Sequence, residues 1–211
     1  MAGSPRSEPG RRLRPPQRTV SRAMADAGRV IAGTARGRRL RSPGGGTRPF
    51  GDRVKQSLFA SLEPVLPQVR VLDLFAGSGA GGIEALSRGA AHCDFVEHDA
   101  GAVRVIEENL RETGLAGFGA VRRSDVLAFL AGATGPYGLV LVDPPYGDPV
   151  MLAVLERLEG MAGLIPGATV VAKHFWRDSL PERAGRLVRV GGRRFGETAL
   201  TIYHADGGGE P

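Results

Sequence analysis

Apolar runs of strand length alternate with stretches of helical period between residues 70 and 172 of this 211-residue chain. The intervening stretches carry apolar residues at the three- and four-residue spacing of an amphipathic helix. Strand, helix and strand repeated in this order predict a parallel sheet with helices on both faces, which is the α/β class. The predicted strands are Arg70–Phe75, Cys93–Glu97, Ala120–Arg122, Leu139–Val142 and Ala168–Ala172, and the predicted helices are Ile83–Arg88, Ala102–Leu110 and Val150–Leu158.

Shorter elements precede this alternating region. Residues 1–27 are rich in Pro, Arg, Ser and Gly and have too few apolar residues to form a face, so we expect a disordered basic tail. Residues 28–64 form a predicted RNA-binding extension. It contains a hairpin that turns at Thr34-Ala-Arg-Gly37 and a helix over Asp52–Leu62.

The main domain is predicted over residues 65–205, followed by a flexible C-terminus over residues 206–211. Near the end of this domain, Arg186–Val190 and Thr198–Tyr203 predict an antiparallel hairpin that closes one edge of the sheet. The glycine-rich segment 191–196 between them is predicted to be its connection.

Basic residues are concentrated in the first quarter of the chain. Residues 1–55 hold 14 Lys and Arg against three acidic residues, a net charge of +11, whereas residues 56–211 have a net charge of −5. Clustered cations gain affinity for nucleic acid by releasing its counterions, so this segment predicts an RNA-binding surface; a solvated basic tail is the alternative. The arginines that we expect to contact RNA are Arg29, Arg36, Arg38, Arg39, Arg41 and Arg48.

Several classes of protein are disfavoured by composition. Cys93 is the only cysteine and the four histidines are scattered, so neither a disulfide scaffold nor a metal site is predicted. The chain has no run of about 18 apolar residues and no apolar segment typical of a signal peptide. These features predict a soluble cytoplasmic protein without a membrane partner.

A glycine-rich turn follows the first strand of the alternating region. The segment Val71-Leu-Asp-Leu-Phe-Ala-Gly-Ser-Gly79 ends a buried strand and opens a helix, so a ligand can approach the backbone amides at the helix N-terminus. Glu97, which ends the second strand, can accept hydrogen bonds from both hydroxyls of a ribose. These features suit either NAD or S-adenosylmethionine.

Asp73 distinguishes the two cofactors. A carboxylate at this turn repels a pyrophosphate, whereas it attracts the cationic sulfonium and ammonium groups of S-adenosylmethionine. Asp125 closes the third strand, where it can bond an adenine amino group or, equally well, cap the helix that begins at Val126. The predicted cofactor is S-adenosyl-L-methionine, and the residues predicted to bind it are Asp73, Phe75, Ala76, Gly77, Ser78, Gly79, Glu97, His98, Asp125 and Val126.

The fourth strand runs directly into Asp143-Pro-Pro-Tyr146, at the sheet edge where α/β proteins bind ligands. The two prolines fix the backbone, so the Asp143 side chain and the Pro144 carbonyl can point at one amino group. Two such acceptors favour the pyramidal nitrogen that attacks a methyl carbon, and Tyr146 can stack on a base. The predicted catalytic residues are Asp143, Pro144, Pro145 and Tyr146, with Asp143 as an orienting group; a polar turn is the alternative.

Several of these motifs together resemble the RsmD family of bacterial methyltransferases, over Arg29 to Tyr203. The motifs are Arg29-Val-Ile-Ala-Gly with Arg36-Gly-Arg38, Arg48-Pro with Asp52-Arg-Val54 and Leu58-Phe59, Leu72-Asp-Leu-Phe-Ala-Gly-Ser-Gly79, Glu84-Ala-Leu-Ser-Arg-Gly89, and Asp143-Pro-Pro-Tyr146. The resemblance implies methylation of the exocyclic N2 of a guanine in 16S ribosomal RNA. It also implies a Rossmann-like class I fold with a seven-stranded, mostly parallel sheet and the N-terminal hairpin and helix as an extension.

The expected partner is 16S ribosomal RNA, and we expect a monomer. The sequence does not distinguish free RNA from RNA within an assembling small subunit. Three positions depart from the family pattern. Phe50 follows Arg48-Pro where the family has threonine, and Gln56 stands where we expect glutamate. Lys173 follows the fifth strand where we expect another glutamate, and we expect this lysine at the surface; contact with an RNA phosphate is the alternative.

Three other functions remain open. An adenine-N6 methyltransferase that acts on RNA or DNA uses the same Asp-Pro-Pro-Tyr tetrapeptide. An NAD-dependent oxidoreductase is opposed by Asp73. A catalytically silent RNA-binding protein is opposed by the intact tetrapeptide.

Overall fold

The computed structural model describes residues 26–44, 51–145 and 147–207. Arg48, Tyr146, the first 25 residues of the predicted tail and residues 208–211 lie outside the described residues. The elements are β1 (Asp26–Arg29), β2 (Arg39–Arg41), α1 (Asp52–Leu62), β3 (Arg70–Leu74), α2 (Ala80–Ser87), β4 (His92–Glu97), α3 (Ala100–Thr113), a 3-10 turn (Ala116–Phe118), β5 (Gly119–Arg123), α4 (Val126–Gly132), β6 (Tyr137–Val142), α5 (Val150–Glu159), β7 (Leu164–Phe175), β8 (Arg183–Ala184), β9 (Leu187–Phe195) and β10 (Thr198–Ala205).

The main sheet has eight strands in the order β5-β4-β3-β6-β7-β10-β9-β8. The first five of these are parallel, and β10 runs antiparallel between β7 and β9. The predicted α/β class and the C-terminal antiparallel hairpin are therefore confirmed. The two-residue strand β8 adds an eighth strand at the edge, where Arg183 and Ala184 pair with β9.

The connection predicted at residues 191–196 is wrong. Strand β9 continues to Phe195, and the chain reverses at Gly196 and Glu197. A Cβ on Gly192 would lie 2.7 Å from the Leu200 carbonyl oxygen, so glycine permits close approach of β10 here. Glycine marks a tight contact between strands as well as a turn, and the sequence pattern does not separate the two.

The register of the parallel strands places four loops at one edge of the sheet. Leu74 of β3 pairs with Val96 of β4 on one side and with Val142 of β6 on the other. Val142 in turn pairs with Ala172 of β7. The segments that follow these strands therefore lie side by side at the carboxyl edge.

The N-terminal hairpin is confirmed, because β1 and β2 pair antiparallel and the turn between them includes Gly37 at φ 82°. Strand β1 begins at Asp26, two residues before the boundary placed at residue 28, and Ala27 is fully buried. A single buried alanine is too weak an apolar signal to mark this strand in a basic tail.

Two buried side chains of α2 hold this extension. The Glu84 carboxylate accepts hydrogen bonds from the backbone amides of Ile31 at 2.8 Å and Ala32 at 3.1 Å. The Ser87 hydroxyl donates to the Ala32 carbonyl at 2.6 Å and accepts from the Ala35 amide at 2.9 Å. Because both side chains are almost fully buried, these bonds fix the extension to the main domain.

Asp206, near the C-terminal limit of the described residues, contacts the segment between β8 and β9 and the strand β8. The Asp206 amide donates to the Arg186 carbonyl at 2.8 Å, and its carboxylate pairs with Arg183 at 3.0 Å. Residue 206 opens the predicted flexible C-terminus, and the flexibility of that segment stays a prediction. Within the described ranges, no helix is long and apolar enough to cross a membrane, and no group of three or more potential metal ligands occurs.

Candidate active site

The glycine-rich turn between β3 and α2 forms the floor of the candidate site. Gly79 caps α2 with φ 75°, a left-handed conformation that favours glycine. A Cβ on Gly82 would lie 2.3 Å from Phe95 Cε1 and 2.5 Å from Cys93 Sγ, so only glycine lets the first turn of α2 pack on β4. The turn therefore lies at the carboxyl edge of the sheet, packed against β4, and its role in cofactor binding stays a prediction.

Glu97 connects this turn to the loop after β4. Its side chain is buried, and its carboxylate accepts hydrogen bonds from the Gly77 amide and from the Asp99 amide, each at 2.9 Å. The exposed His98 imidazole lies 3.2 Å from the same carboxylate. Glu97 thus lies beside the glycine turn, where the sequence places it, and it also fixes the turn's backbone.

Asp73 is buried beneath the turn. Its carboxylate accepts a hydrogen bond from the Gly82 amide at 2.8 Å. Burial raises the pKa of Asp73 to about 8; the Gly82 bond opposes this rise, and the negative charges of Asp143 and Glu97 add to it. At neutral pH the carboxyl group is largely protonated until a cation approaches.

Asp143 lies beside Asp73 at the end of β6. Its amide donates to the Leu74 carbonyl at 3.4 Å, which holds the start of the tetrapeptide against the end of β3. Pro144 is buried and Pro145 is exposed. Burial raises the pKa of the Asp143 carboxyl, whereas the charge and hydrogen bond of Lys173 lower it.

Lys173 is not at the surface, so that expectation is wrong. Its side chain is only 7% exposed, and its Nζ lies 2.7 Å from Asp143 Oδ2. Val142 pairs with Ala172, so the residues that follow them, Asp143 and Lys173, lie next to each other. The register of the two strands produces this contact, and local sequence does not reveal it. A buried cation therefore balances the carboxylate at the candidate catalytic position.

The remaining residues predicted to bind the cofactor surround the same edge. Phe75 has φ 58°, and Ala76 is nearly buried with its amide bonded to the Val96 carbonyl at 3.1 Å. Asp125 is exposed and caps α4 by accepting a hydrogen bond from the Ala128 amide at 2.9 Å, which is the alternative role that the sequence left open. Val126 begins that helix and is buried.

Asn109 is a residue of this region that the sequence analysis missed. Its fully buried amide group donates to the Ser78 carbonyl at 2.8 Å and to the Arg41 carbonyl at 3.0 Å, and it accepts from the Arg41 amide at 2.9 Å. One side chain thus joins the glycine turn to the N-terminal extension. Its position between Ile106 and Leu110 on the buried face of α3 is the signal that could have identified it.

The described arginines of the extension are all exposed, but their charges are not equally neutralised. Arg29 pairs with Asp52 at 3.2 Å and Arg39 with Asp26 at 3.1 Å. Arg41 pairs with Glu112, whose hydrogen bond and charge raise the pKa of this guanidinium. Within the described segments, Arg36 and Arg38 at the hairpin turn have no carboxylate partner.

Comparison with known proteins identifies the family. The family model described as "Conserved hypothetical protein 95" matches residues 28–204. The chain belongs to this family, the RsmD family. It is 40% identical to YlbH of Bacillus subtilis (strain 168) over 184 residues, covering 85% of this chain and all of that protein. It is 35% identical to ribosomal RNA small subunit methyltransferase D of Escherichia coli (strain K12) over 183 residues, covering 86% of this chain and 92% of that protein.

The fold of this RsmD-family chain is also found in a solved structure. The yhhF structure from Escherichia coli has a TM-score of 0.78 and 34% sequence identity, and it covers 85% of this chain and 98% of that chain. The fold predicted from the sequence, a Rossmann-like class I methyltransferase fold, is therefore confirmed. The motif Glu84–Gly89, which contributes to the family resemblance, spans the end of α2 and the two residues after it, and its Glu84 and Ser87 hold the extension.

Proposed function

We propose that this chain transfers a methyl group from S-adenosyl-L-methionine to the exocyclic N2 of a guanine in 16S ribosomal RNA. The observation that carries the proposal is the position of Asp143-Pro-Pro beside the glycine turn, with the Asp143 amide 3.4 Å from the Leu74 carbonyl. The name of the Escherichia coli relative, a small-subunit ribosomal RNA methyltransferase, supports the substrate. We propose a monomer that acts on free RNA or on an assembling small subunit in the cytoplasm.

The charges of the site fit a cationic cofactor. Asp73, Glu97 and Asp143 bring three carboxyl groups to one edge, and the negative charges of Glu97 and Asp143 raise the pKa of Asp73. A sulfonium or ammonium group relieves this repulsion, whereas a pyrophosphate increases it. When bound, S-adenosylmethionine supplies an electrophilic methyl group.

The contribution of Asp143 is orientation and charge stabilisation. A guanine amine is a poor nucleophile because its lone pair is delocalised into the ring, and an acceptor on one of its hydrogens favours the pyramidal form. As the nitrogen attacks, it gains positive charge, which the ionised Asp143 stabilises. Lys173 supports this role because its ammonium group holds Asp143 Oδ2 at 2.7 Å and favours the charged form of the carboxyl.

A methyl-transfer assay tests the proposal. The purified protein is incubated with the isotopically labelled methyl donor and small-subunit ribosomal RNA from a strain that lacks this activity, both as free RNA and as assembled subunits. We expect label in the RNA of at least one form. No label in either form, with cofactor binding intact, would contradict the proposed function.

Cofactor affinity is expected to depend on pH through Asp73. Because the pKa of Asp73 is about 8 without ligand, binding of a cation below that pH releases a proton. The dissociation constant should fall roughly tenfold per pH unit between pH 6 and pH 8 and then level off. Calorimetry in two buffers of different ionisation enthalpy gives the number of protons released, from the difference between the two binding enthalpies.

The Asp73→Asn variant is the control for this prediction, because titration of the ligand's own amino group affects both proteins equally. We expect the steep dependence on pH to disappear in the variant. A wild-type affinity that changes with pH no more than that of the variant would exclude Asp73 as the titrating group.

Arg36 and Arg38 are expected to contribute most to RNA binding among the described arginines of the N-terminal hairpin. Each phosphate contact adds about 0.7 to the slope of log affinity against log salt for single strands. Replacing both residues with alanine should therefore lower that slope by about 1.4. The Arg39→Ala variant is the comparison, since Asp26 already pairs with Arg39, and its change should be smaller. Equal slopes in all three proteins would mean that this hairpin turn does not contact RNA.

A further inference from the structure

A basic and aromatic cluster lies at the carboxyl edge of the sheet, outside the residues assigned above. It consists of Trp176 and Arg177, which follow β7, and of Arg193 and Arg194 near the end of β9; we call it the hairpin cluster. The Arg194 guanidinium carbon lies 3.7 Å from the centroid of the Trp176 ring, and that of Arg177 lies 4.9 Å from it. Two cations are therefore stacked against one half-buried indole.

The charge of this cluster stands out from its surroundings. Residues 173–197 hold seven Lys and Arg against three acidic residues, although residues 56–211 together have a net charge of −5. In the parts of the chain that the structure describes, Arg193 and Arg194 form no ion pair with a carboxylate. Arg193 donates to the Ser57 hydroxyl at 2.6 Å, and Arg194 donates to the Gly196 carbonyl at 2.9 Å. Their positive charges are thus not neutralised by a neighbouring acid.

The cluster lies close to the candidate catalytic residue. Lys173 contacts Asp143, and Trp176 is three residues further along, which is about 10 Å at about 3.3 Å per strand residue. Thr198 pairs with both Phe175 and Phe195, so the ends of β7 and β9 lie at the same edge. A nucleotide beside a base held at Asp143 can therefore reach Trp176.

The cluster is also connected to the N-terminal extension. Arg193 contacts Ser57 on α1, and Asp52 at the start of the same helix pairs with Arg29 of β1 at 3.2 Å. Exposed Arg53 lies on the helix between these two contacts. Cations are therefore present on the extension, on α1 and on the β9–β10 hairpin.

This chemistry fits single-stranded RNA better than an acidic protein segment. Proteins recognise unpaired nucleotides by stacking bases on aromatic rings or guanidinium planes and by pairing phosphates with arginine. Binding of an acidic peptide requires only the positive charge of the arginines and does not explain the Trp176 indole against which they stack. We propose that the hairpin cluster binds the single-stranded RNA that flanks the target base. This inference rests on the proposed RNA methyltransferase function and extends it.

The intrinsic fluorescence of the wild-type protein gives a direct test, because Trp176 is the only tryptophan in the chain. Small-subunit ribosomal RNA from a deficient strain is titrated into the protein, and emission is followed at several salt concentrations. We expect the Trp176 emission to change in step with RNA binding measured independently by filter retention. This readout needs no substitution and does not depend on a variant folding.

Variants then separate stacking from charge. Trp176→Leu should weaken RNA binding by roughly 5- to 150-fold, the range for loss of one stacked base, and Trp176→Phe should retain most of the affinity. Arg194→Ala should lower the salt slope by about 0.7. Arg157→Ala is the matched control, since it removes one exposed arginine from α5 and should leave the slope unchanged. Cofactor affinity should be equal in all of these proteins.

Three outcomes would overturn the inference. The first is unchanged emission at saturating RNA together with wild-type affinity in Trp176→Leu and Arg194→Ala, which would show that the hairpin cluster does not bind RNA. Methylation of the RNA by the wild-type protein would then still support the proposed function. Loss of binding to assembled subunits but not to free RNA in these variants would assign the cluster to a protein partner. A wild-type protein that neither binds nor methylates ribosomal RNA would overturn both proposals.

Discussion

Replacing Asp143 with alanine should lower kcat by roughly 10² or more, a far larger effect than the accompanying rise in the dissociation constant of the cofactor. The carboxylate is proposed to contact the amine, and its contribution grows as the nitrogen becomes positively charged during attack. Single-turnover methylation of ribosomal RNA measures this step without product release. Calorimetry with the methyl donor on the same protein measures the cofactor affinity.

Asp143→Asn separates orientation from charge. The amide keeps one acceptor oxygen but loses the negative charge, so partial activity would indicate orientation and very low activity would indicate charge stabilisation. A single-turnover rate near that of the wild-type protein in Asp143→Ala would remove this residue from the mechanism.

Replacing Lys173 with methionine should affect both stability and activity, because it leaves Asp143 without its buried cation. Breaking a fully buried ion pair by removing one partner costs about 3 to 5 kcal/mol of unfolding free energy. Because the Asp143 side chain is 21% exposed, the loss in this variant should lie at or below the lower end of that range. The Lys173 charge lowers the pKa of Asp143, so its removal raises that pKa further. Activity at pH 7 should fall and should partly recover as the pH rises.

The pH dependence of stability in Lys173→Met has the opposite sign to that of its activity. A carboxyl whose pKa is raised in the folded state is most compatible with folding when protonated, at low pH, and it destabilises the fold as the pH rises through the raised pKa. The loss of thermal stability relative to the wild-type protein should therefore be larger at pH 8 than at pH 5. The Lys173→Arg variant keeps the charge and is the control. A stability loss that is equal at both pH values would show that the Lys173 charge does not act on Asp143.

The parts of this molecule that the sequence predicts are those encoded by local patterns. Apolar runs and helical periods predict the parallel strands to within a few residues at most of their ends, and Asp52–Leu62 is the observed α1. The glycine turn is equally local, because left-handed backbone at Gly79 and close packing at Gly82 both require glycine. The position of Glu97 is also predicted, because the alternation of strands and helices places the end of its strand beside that turn.

The parts that the sequence does not predict depend on register and tertiary contact. Lys173 reads as a surface residue at the end of a strand, and only the pairing of β6 with β7 brings it to Asp143. In the sequence, Asn109 is one polar residue of an amphipathic helix. Its contacts depend on the packing of the extension on α3, which the sequence does not show. The cluster around Trp176 was missed because the negative net charge of residues 56–211 conceals a local basic surface.

Analysis of the methylated nucleoside tests the central claim most directly. Small-subunit ribosomal RNA from a deficient strain is methylated by the wild-type protein under single-turnover conditions, digested to nucleosides and separated by mass spectrometry, with Asp143→Ala in parallel. We predict one methyl group on the exocyclic N2 of guanosine and little or none with the variant. Methylation of adenosine N6 instead, or equal guanosine methylation by Asp143→Ala, would contradict this account.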